Sequence, residues 1–129
     1  MKRSILAFVA AFVTWLLVAT VLNRALRIGL EGYAAAEPRM SFTLTMMVAR
    51  LVIAAIASLA AGAVAGRIAP AGSYTAWVFA AVLLALFIPE HVKLWQHFPV
   101  WYHLTFLVTL VPLVVVGSWL WQGRPPPAA

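Results

Sequence analysis

The feature that most constrains this chain is a set of four apolar segments, each about as long as a helix that crosses a lipid bilayer. About 20 helical residues, at 1.5 Å each, span the ~30 Å of hydrocarbon in a membrane. Because 65% of the residues are hydrophobic and the mean hydropathy is +1.00, a water-soluble fold would leave much of this surface exposed. The sequence predicts an all-α integral membrane four-helix bundle, with helices near residues 5–26, 40–66, 74–95 and 99–121.

The connections between these segments are short and predict one transmembrane domain over residues 1–122, followed by a short disordered tail at 123–129. Gly29 and Gly32 are expected to end the first helix. Pro38 suits the first turn of the second helix, where its missing N–H costs no hydrogen bond. An even number of crossings then places both chain ends on the same side of the membrane.

The distribution of basic residues predicts which side that is. Lys and Arg are enriched in cytoplasmic loops, and the end that carries both termini is basic and contains no acidic residue. We therefore expect both termini in the cytoplasm, in what is most simply a bacterial inner membrane. The net charge of +6 is spread over helix ends, which is typical of contact with anionic lipid and does not favour nucleic-acid binding.

The opposite end of the bundle, here called the polar-aromatic end, is expected to be the working surface. The stretch PEHVKLWQHFPVWYH, residues 89–103, holds one of the three Glu residues and all three His residues. The antiparallel arrangement brings further polar groups from the other helices to the same end. Its members are Asn23, Arg24, Arg27, Glu31, Tyr33, Glu37, Arg39, Glu90, His91, Lys93, Trp95, His97, Phe98, Trp101, Tyr102 and His103.

Arg50 is the one basic residue predicted to lie deep in the membrane. It follows Arg39 by 11 positions, which places it roughly 15 Å along the second helix if that helix starts near residue 40. An arginine at that depth costs about 2.5–3.5 kcal/mol and normally faces the bundle interior beside a partner. Glu90 is the candidate partner, in an ion pair capped by Lys93 and a histidine. The alternative is that Arg50 extends to the headgroups, or bonds to the backbone carbonyl that Pro89 leaves free, and that Glu90 pairs with Lys93 at the surface.

Small residues follow Arg50 at intervals of four on the second helix. They share one helical face and let a neighbouring helix approach closely. This predicted packing ridge consists of Ala54, Ser58, Gly62 and Gly66.

The three histidines suggest a ligand or proton-linked site. His91, His97 and His103 are six residues apart and lie on different helical faces, so the connection near residues 96–99 would have to fold them together. A haem or metal site using them is the weaker hypothesis, and we expect no cofactor.

Catalytic motifs are not evident, because the chain contains no Asp, no Cys, no phosphate-binding glycine loop and no HExxH motif. Its size is similar to that of the small multidrug resistance transporters, but residues 5–22 lack the membrane-embedded Glu of that family, and no family is assigned. We expect a non-enzymatic accessory, assembly or partner-binding subunit that contacts other membrane proteins or itself. The alternative is a small transporter or channel with Arg50 and Glu90 in its pathway.

Overall fold

Four long helices make up most of the protein, as the hydropathy pattern predicted. The computed structural model describes residues 2–39, 41–70 and 73–121, so the tail predicted at 123–129 lies outside the described part. The long helices are α1 (Lys2–Gly29), α3 (Leu44–Ile68), α4 (Thr75–Lys93) and α5 (Val100–Trp121). Each is long and apolar enough to cross a membrane. The all-α four-helix class is therefore confirmed, and the chain is a small membrane protein.

The connection between α1 and α3 differs from its prediction. A short helix, α2 (Tyr33–Ala36), and a 3₁₀ turn (Glu37–Arg39) come first, so Pro38 lies in that turn and not at the start of α3. Helix α3 begins at Leu44 because the Thr43 hydroxyl caps it by accepting a hydrogen bond from the Met46 N–H at 3.3 Å. The predicted start of this helix, near residue 40, was therefore four residues too early.

Helix α3 is the centre of the bundle. It packs along both α1 and α5, whereas α4 packs mainly on α5 and touches α1 only sparsely. At the end that carries the termini, the Arg3 Nε–H donates to the Ile68 carbonyl oxygen at 3.1 Å and ties the start of α1 to the end of α3. The order around the bundle is therefore α1, α3, α5 and α4, and the α1–α4 contact is its loosest side.

The predicted small-residue ridge lies between α3 and its neighbours. Ala54, Ser58 and Gly62 are buried, and a Cβ placed on Gly62 would collide with the backbone of Val114 on α5. A Cβ on Gly66 would collide with Ser118 in the same way. Glycine at these two positions thus allows the α3 and α5 backbones to touch, which is how helices gain dispersion energy inside a membrane.

Among the described residues, the buried side chains form two separate clusters that fill the bundle. The larger one occupies the middle and the end near the termini, and it includes Trp15, Phe79, Leu83, Leu110 and Val114. The smaller one lies at the polar-aromatic end and consists of Tyr33, Phe42, Met46, Phe98 and Tyr102. The large apolar side chains on the outer helix faces are exposed, as expected for surfaces that contact lipid.

Candidate functional site

Arg50 lies at the centre of the polar-aromatic end, on the inner side of α3. It is the seventh residue of that helix, which puts it about 9 Å from the helix start and not the 15 Å expected from an earlier start. Its side chain is half-buried and, in the described part of the chain, lines partly open cavities of about 140 and 220 Å³. The late start of α3 therefore brings Arg50 within reach of groups near the membrane interface.

Uncharged aromatic side chains hold the Arg50 guanidinium. An Nη1–H donates to the Tyr33 hydroxyl at 2.8 Å, and the Nε–H donates to the Tyr102 hydroxyl at 3.2 Å. The guanidinium carbon also lies 4.6 Å from the centre of the Phe42 ring and 5.8 Å from that of Phe98. Hydrogen bonds and cation–π contacts of this kind orient an arginine without neutralising its charge.

The Arg50–Glu90 ion pair predicted from the sequence is not formed. Glu90 is exposed, and in residues 2–39, 41–70 and 73–121 the one ion pair joins Arg27 and Glu37. The inward face of α4 carries Phe79, Leu83, Phe87 and His91 at intervals of four. Glu90 lies about 100° from His91 around the helix and borders the cavity beside α1, where its side chain is exposed.

Lys93 is also exposed, and among the described residues it makes no ion pair with Glu90 either. Helix α4 does continue through Pro89 to Lys93, as the sequence suggested. The helix is therefore continuous as predicted, but the Glu90 side chain is exposed. The predicted Arg50–Glu90 ion pair was wrong because of the direction of that side chain.

A chain of hydrogen bonds connects Arg50 to the interface. The Tyr33 hydroxyl donates to Asn23 Oδ1 at 2.6 Å, and Asn23 Nδ2–H donates to Glu37 Oε2 at 2.8 Å. The other carboxylate oxygen of Glu37 accepts from the Arg27 Nε–H. Glu37, the acidic residue of this network, is therefore already paired with Arg27 and not with Arg50.

The protonation of two groups in this network follows from their surroundings. Burial raises the pKa of the Tyr33 phenol and outweighs the lowering effect of Arg50, so this hydroxyl keeps its proton and donates it to Asn23. Burial also acts to raise the pKa of Glu37, but hydrogen bonds from Arg27 and Asn23 outweigh it and leave that pKa lowered. Tyr33 is therefore neutral and Glu37 is a carboxylate near neutral pH.

The structure brings two of the three histidines together. His91 on α4 and His103 on α5 are buried, and their Nδ1 atoms are 2.7 Å apart. His103 Nε2 is 3.3 Å from the Trp95 carbonyl oxygen, to which it can only donate, so His103 Nδ1 accepts and His91 Nδ1–H donates. His97 is exposed and takes no part.

The turn between α4 and α5 brings this histidine pair together. The 3₁₀ turn Trp95–His97 reverses the chain, and the Trp95 ring stacks on the His103 ring at 4.6 Å with an interplanar angle of 10°. In the described part of the chain no group of three His, Cys, Asp or Glu side chains converges as metal ligands would.

Tyr33, Phe42 and Tyr102 are the site residues whose roles the sequence reasoning missed. Tyr33 and Tyr102 counted only as members of the aromatic end, and Phe42 received no role. Phe42 fell within the helix predicted at residues 40–66. One signal was present in the sequence for Tyr33, because it is an aromatic residue in the predicted connection between the first two helices, where a solvated loop would rarely hold one. That signal predicts a connection that folds back onto the bundle.

Comparison of the chain with protein-family models, with curated proteins and with solved structures finds no match.

Proposed function

We propose that this protein is a non-enzymatic accessory or assembly subunit that binds another membrane protein, or a second copy of itself, through the polar-aromatic end. The observation that carries the proposal is an exposed aromatic and polar surface on a rigid turn. Trp95 and Trp101 are 44% and 42% exposed, and the neighbouring Lys93 and His97 are exposed as well. We further propose a bacterial inner membrane as the location, with both termini in the cytoplasm.

The rigidity of the turn supports binding. Phe98 stacks on Tyr102 with ring centres 4.3 Å apart, and Phe42 stacks on Phe98 at 5.7 Å. These contacts fix the α4–α5 turn against the connection that precedes α3. A surface that is ordered before binding loses less conformational entropy when a partner docks, and Trp is enriched in the centres of protein interfaces.

The transporter or channel alternative receives less support from the packing. The half of the bundle nearer the termini is filled by buried apolar side chains, among them Ala11, Ala61, Phe79 and Val114. The space that remains in this half lies between α1 and α4 and is apolar, and Glu90 is exposed. The cavities next to Arg50 are therefore better explained as pockets than as parts of a polar pathway.

The haem or metal alternative also receives less support. A metal bound between two imidazoles on opposite sides would separate their nitrogens by about twice the ~2 Å metal–nitrogen distance. His91 and His103 are instead at hydrogen-bond distance, 2.7 Å. The pair is more simply a packing element that joins α4 to α5.

Native mass spectrometry of the tagged protein, extracted gently from its own membrane, tests the proposal. We expect a second protein chain at fixed stoichiometry, which Trp101→Leu weakens and Trp119→Leu leaves unchanged. Both tryptophans are exposed on α5, but they lie at opposite ends. Recovery of the protein as a monomer only, or equal loss of the partner with both variants, would refute binding through the polar-aromatic end.

A further inference from the structure

The positive charge of Arg50 is not balanced by a carboxylate in direct contact. Among the described residues its hydrogen-bond partners are the phenols of Tyr33 and Tyr102, and the nearby Glu37 forms its ion pair with Arg27. The local sum of Arg27, Glu37 and Arg50 is one positive charge. A charge held in a low-dielectric bundle without a counter-ion is a strong attractor for an anion.

Hydrogen-bond donors remain available at this charge. A guanidinium has five N–H donors, and the described contacts of Arg50 use the Nε–H and one Nη1–H. The Tyr102 hydroxyl accepts from Arg50 and has its own proton to donate. Arg50, Tyr102 and Asn23 line the same cavity of about 140 Å³, and no acidic side chain is among its described lining residues. The unused N–H groups of Arg50 and the O–H of Tyr102 are therefore hydrogen-bond donors beside a positive charge. Such a set suits the oxygens of a carboxylate or a phosphate.

The size of this cavity limits what it can hold. Pockets for complete small-molecule ligands are typically about 300–1,000 Å³, so a cavity of about 140 Å³ accommodates a headgroup only. Any larger part of the ligand must extend into neighbouring space.

Suitable space lies along the loosely packed side of the bundle, between α1 and α4. An apolar cavity of about 200 Å³ there is bordered by Phe12, Leu16 and Leu86. It shares Trp15 and Phe87 with the Arg50 cavity, and these two rings, 4.9 Å apart, form the boundary between the two spaces.

A larger apolar cavity of about 400 Å³ lies further along the same interface, between Phe8 and Val78. An acyl chain that enters from the surrounding lipid therefore finds an apolar groove between α1 and α4 with the Arg50 cavity beside it. Glu90 lines the 200 Å³ cavity and also the second cavity beside Arg50, of about 220 Å³, but it does not line the 140 Å³ cavity that is called the Arg50 cavity here. An anion is therefore more stable in the Arg50 cavity than in the groove.

We propose that the Arg50 cavity binds the carboxylate or phosphate headgroup of a single anionic amphiphile from the membrane, whose acyl chain lies in the groove between α1 and α4. This site lies below the proposed partner-binding surface and does not require a partner. Arg50 and Tyr102 are then the ligands of the headgroup. The loose α1–α4 contact is the lateral opening through which the acyl chain enters.

Binding to the purified full-length protein in zwitterionic detergent tests the proposal, with oleate and phosphatidic acid as probes. Their neutral counterparts, oleyl alcohol and diacylglycerol, have matched chains, and acetate and inorganic phosphate have no chain. We expect saturable binding of one oleate or phosphatidic acid per chain and no saturable binding of the neutral counterparts. Equal binding of the neutral amphiphiles would overturn the role of Arg50, and this comparison needs no variant.

Two pairs of variants separate the parts of the site. Arg50→Gln is expected to weaken oleate binding about ten- to a hundred-fold, the range for loss of a charge-assisted contact, whereas Arg24→Gln, at an exposed position of α1, leaves it unchanged. Leu16→Trp narrows the groove and should weaken oleate binding, whereas Leu17→Trp faces away from that cavity. If acetate or phosphate binds as tightly as its acylated counterpart, or if Leu16→Trp has no effect, the groove is not part of the site.

Discussion

Replacement of Gly62 by alanine tests whether the contact between the α3 and α5 backbones holds the bundle together. A Cβ at this position would collide with the Val114 carbonyl oxygen, and it would lie 2.8 Å from the carbonyl carbon and 3.0 Å from the Cα. All three atoms belong to the backbone of a helix, so no side-chain rotation can relieve the collision. The two helices must move apart.

The size of the effect follows from that separation. A gap of about 0.5–1 Å removes a quarter to a half of the dispersion energy of the atom pairs it separates, and overpacking of this kind costs about 1–3 kcal/mol. Alanine is the better helix former by about 1 kcal/mol, which offsets part of this cost. We expect Gly62→Ala to lower the free energy of unfolding by up to about 2 kcal/mol, and by about 1–3 kcal/mol relative to a Gly→Ala replacement that gains the same helix propensity without a collision.

Unfolding by sodium dodecyl sulfate in mixed micelles, followed by tryptophan fluorescence, measures this free energy. Gly29→Ala is the matched control, because nothing lies within 4 Å of its added Cβ, and its stability should equal or slightly exceed that of the wild type. If Gly62→Ala and Gly29→Ala unfold at the same detergent fraction, the close approach of α3 and α5 contributes nothing, and the reasoning from the glycine positions is wrong.

Three further variants test the polar-aromatic end in the same unfolding assay. Tyr33→Phe removes the hydroxyl that bridges Arg50 and Asn23 and should cost about 1–3 kcal/mol, whereas Tyr74→Phe, at a position 77% exposed, should cost nothing; equal effects would refute the bridge. The lowered pKa of Glu37 means that its interactions stabilise the fold above the pKa that this carboxyl has in the unfolded chain, and that this contribution is lost as the pH falls through the folded value. Glu37→Gln should therefore flatten the stability profile in acid, and a profile identical to that of the wild type would contradict this linkage. His103→Leu leaves the buried His91 without its partner and should cost about 1–3 kcal/mol, of which the double variant with His91→Leu should recover part; purely additive losses would show that the pair is not coupled.

The sequence was sufficient for features that depend on local periodicity. The four apolar spans follow from segment length alone, and the small residues at Ala54, Ser58 and Gly62 follow from the spacing of four on one helix face. Both features are properties of a single helix and require no knowledge of how its neighbours are placed. For this reason the fold class could be predicted from the printed residues.

The partners of Arg50 could not be predicted, because they depend on where α3 begins and on how the preceding connection folds. Thr43 caps the helix four residues later than expected, which shifts Arg50 about 6 Å towards the interface. The same connection folds back so that Tyr33 and Phe42 are buried against the bundle. The rotation of α4, which turns His91 inward and Glu90 outward, is likewise decided by packing that no single segment reveals.

The chemistry around Arg50 indicates that stability alone does not explain this residue. Burying a charge is costly, and replacing buried charges by apolar side chains of similar volume is often neutral or even stabilising. An arginine that only supported the fold would gain most from a carboxylate, yet the nearby Glu37 is bonded to Arg27 and Asn23. Two phenols and two aromatic rings orient the guanidinium and leave its charge intact. Such an arrangement keeps a cation ready beside a small cavity, which is the arrangement that an anionic ligand requires.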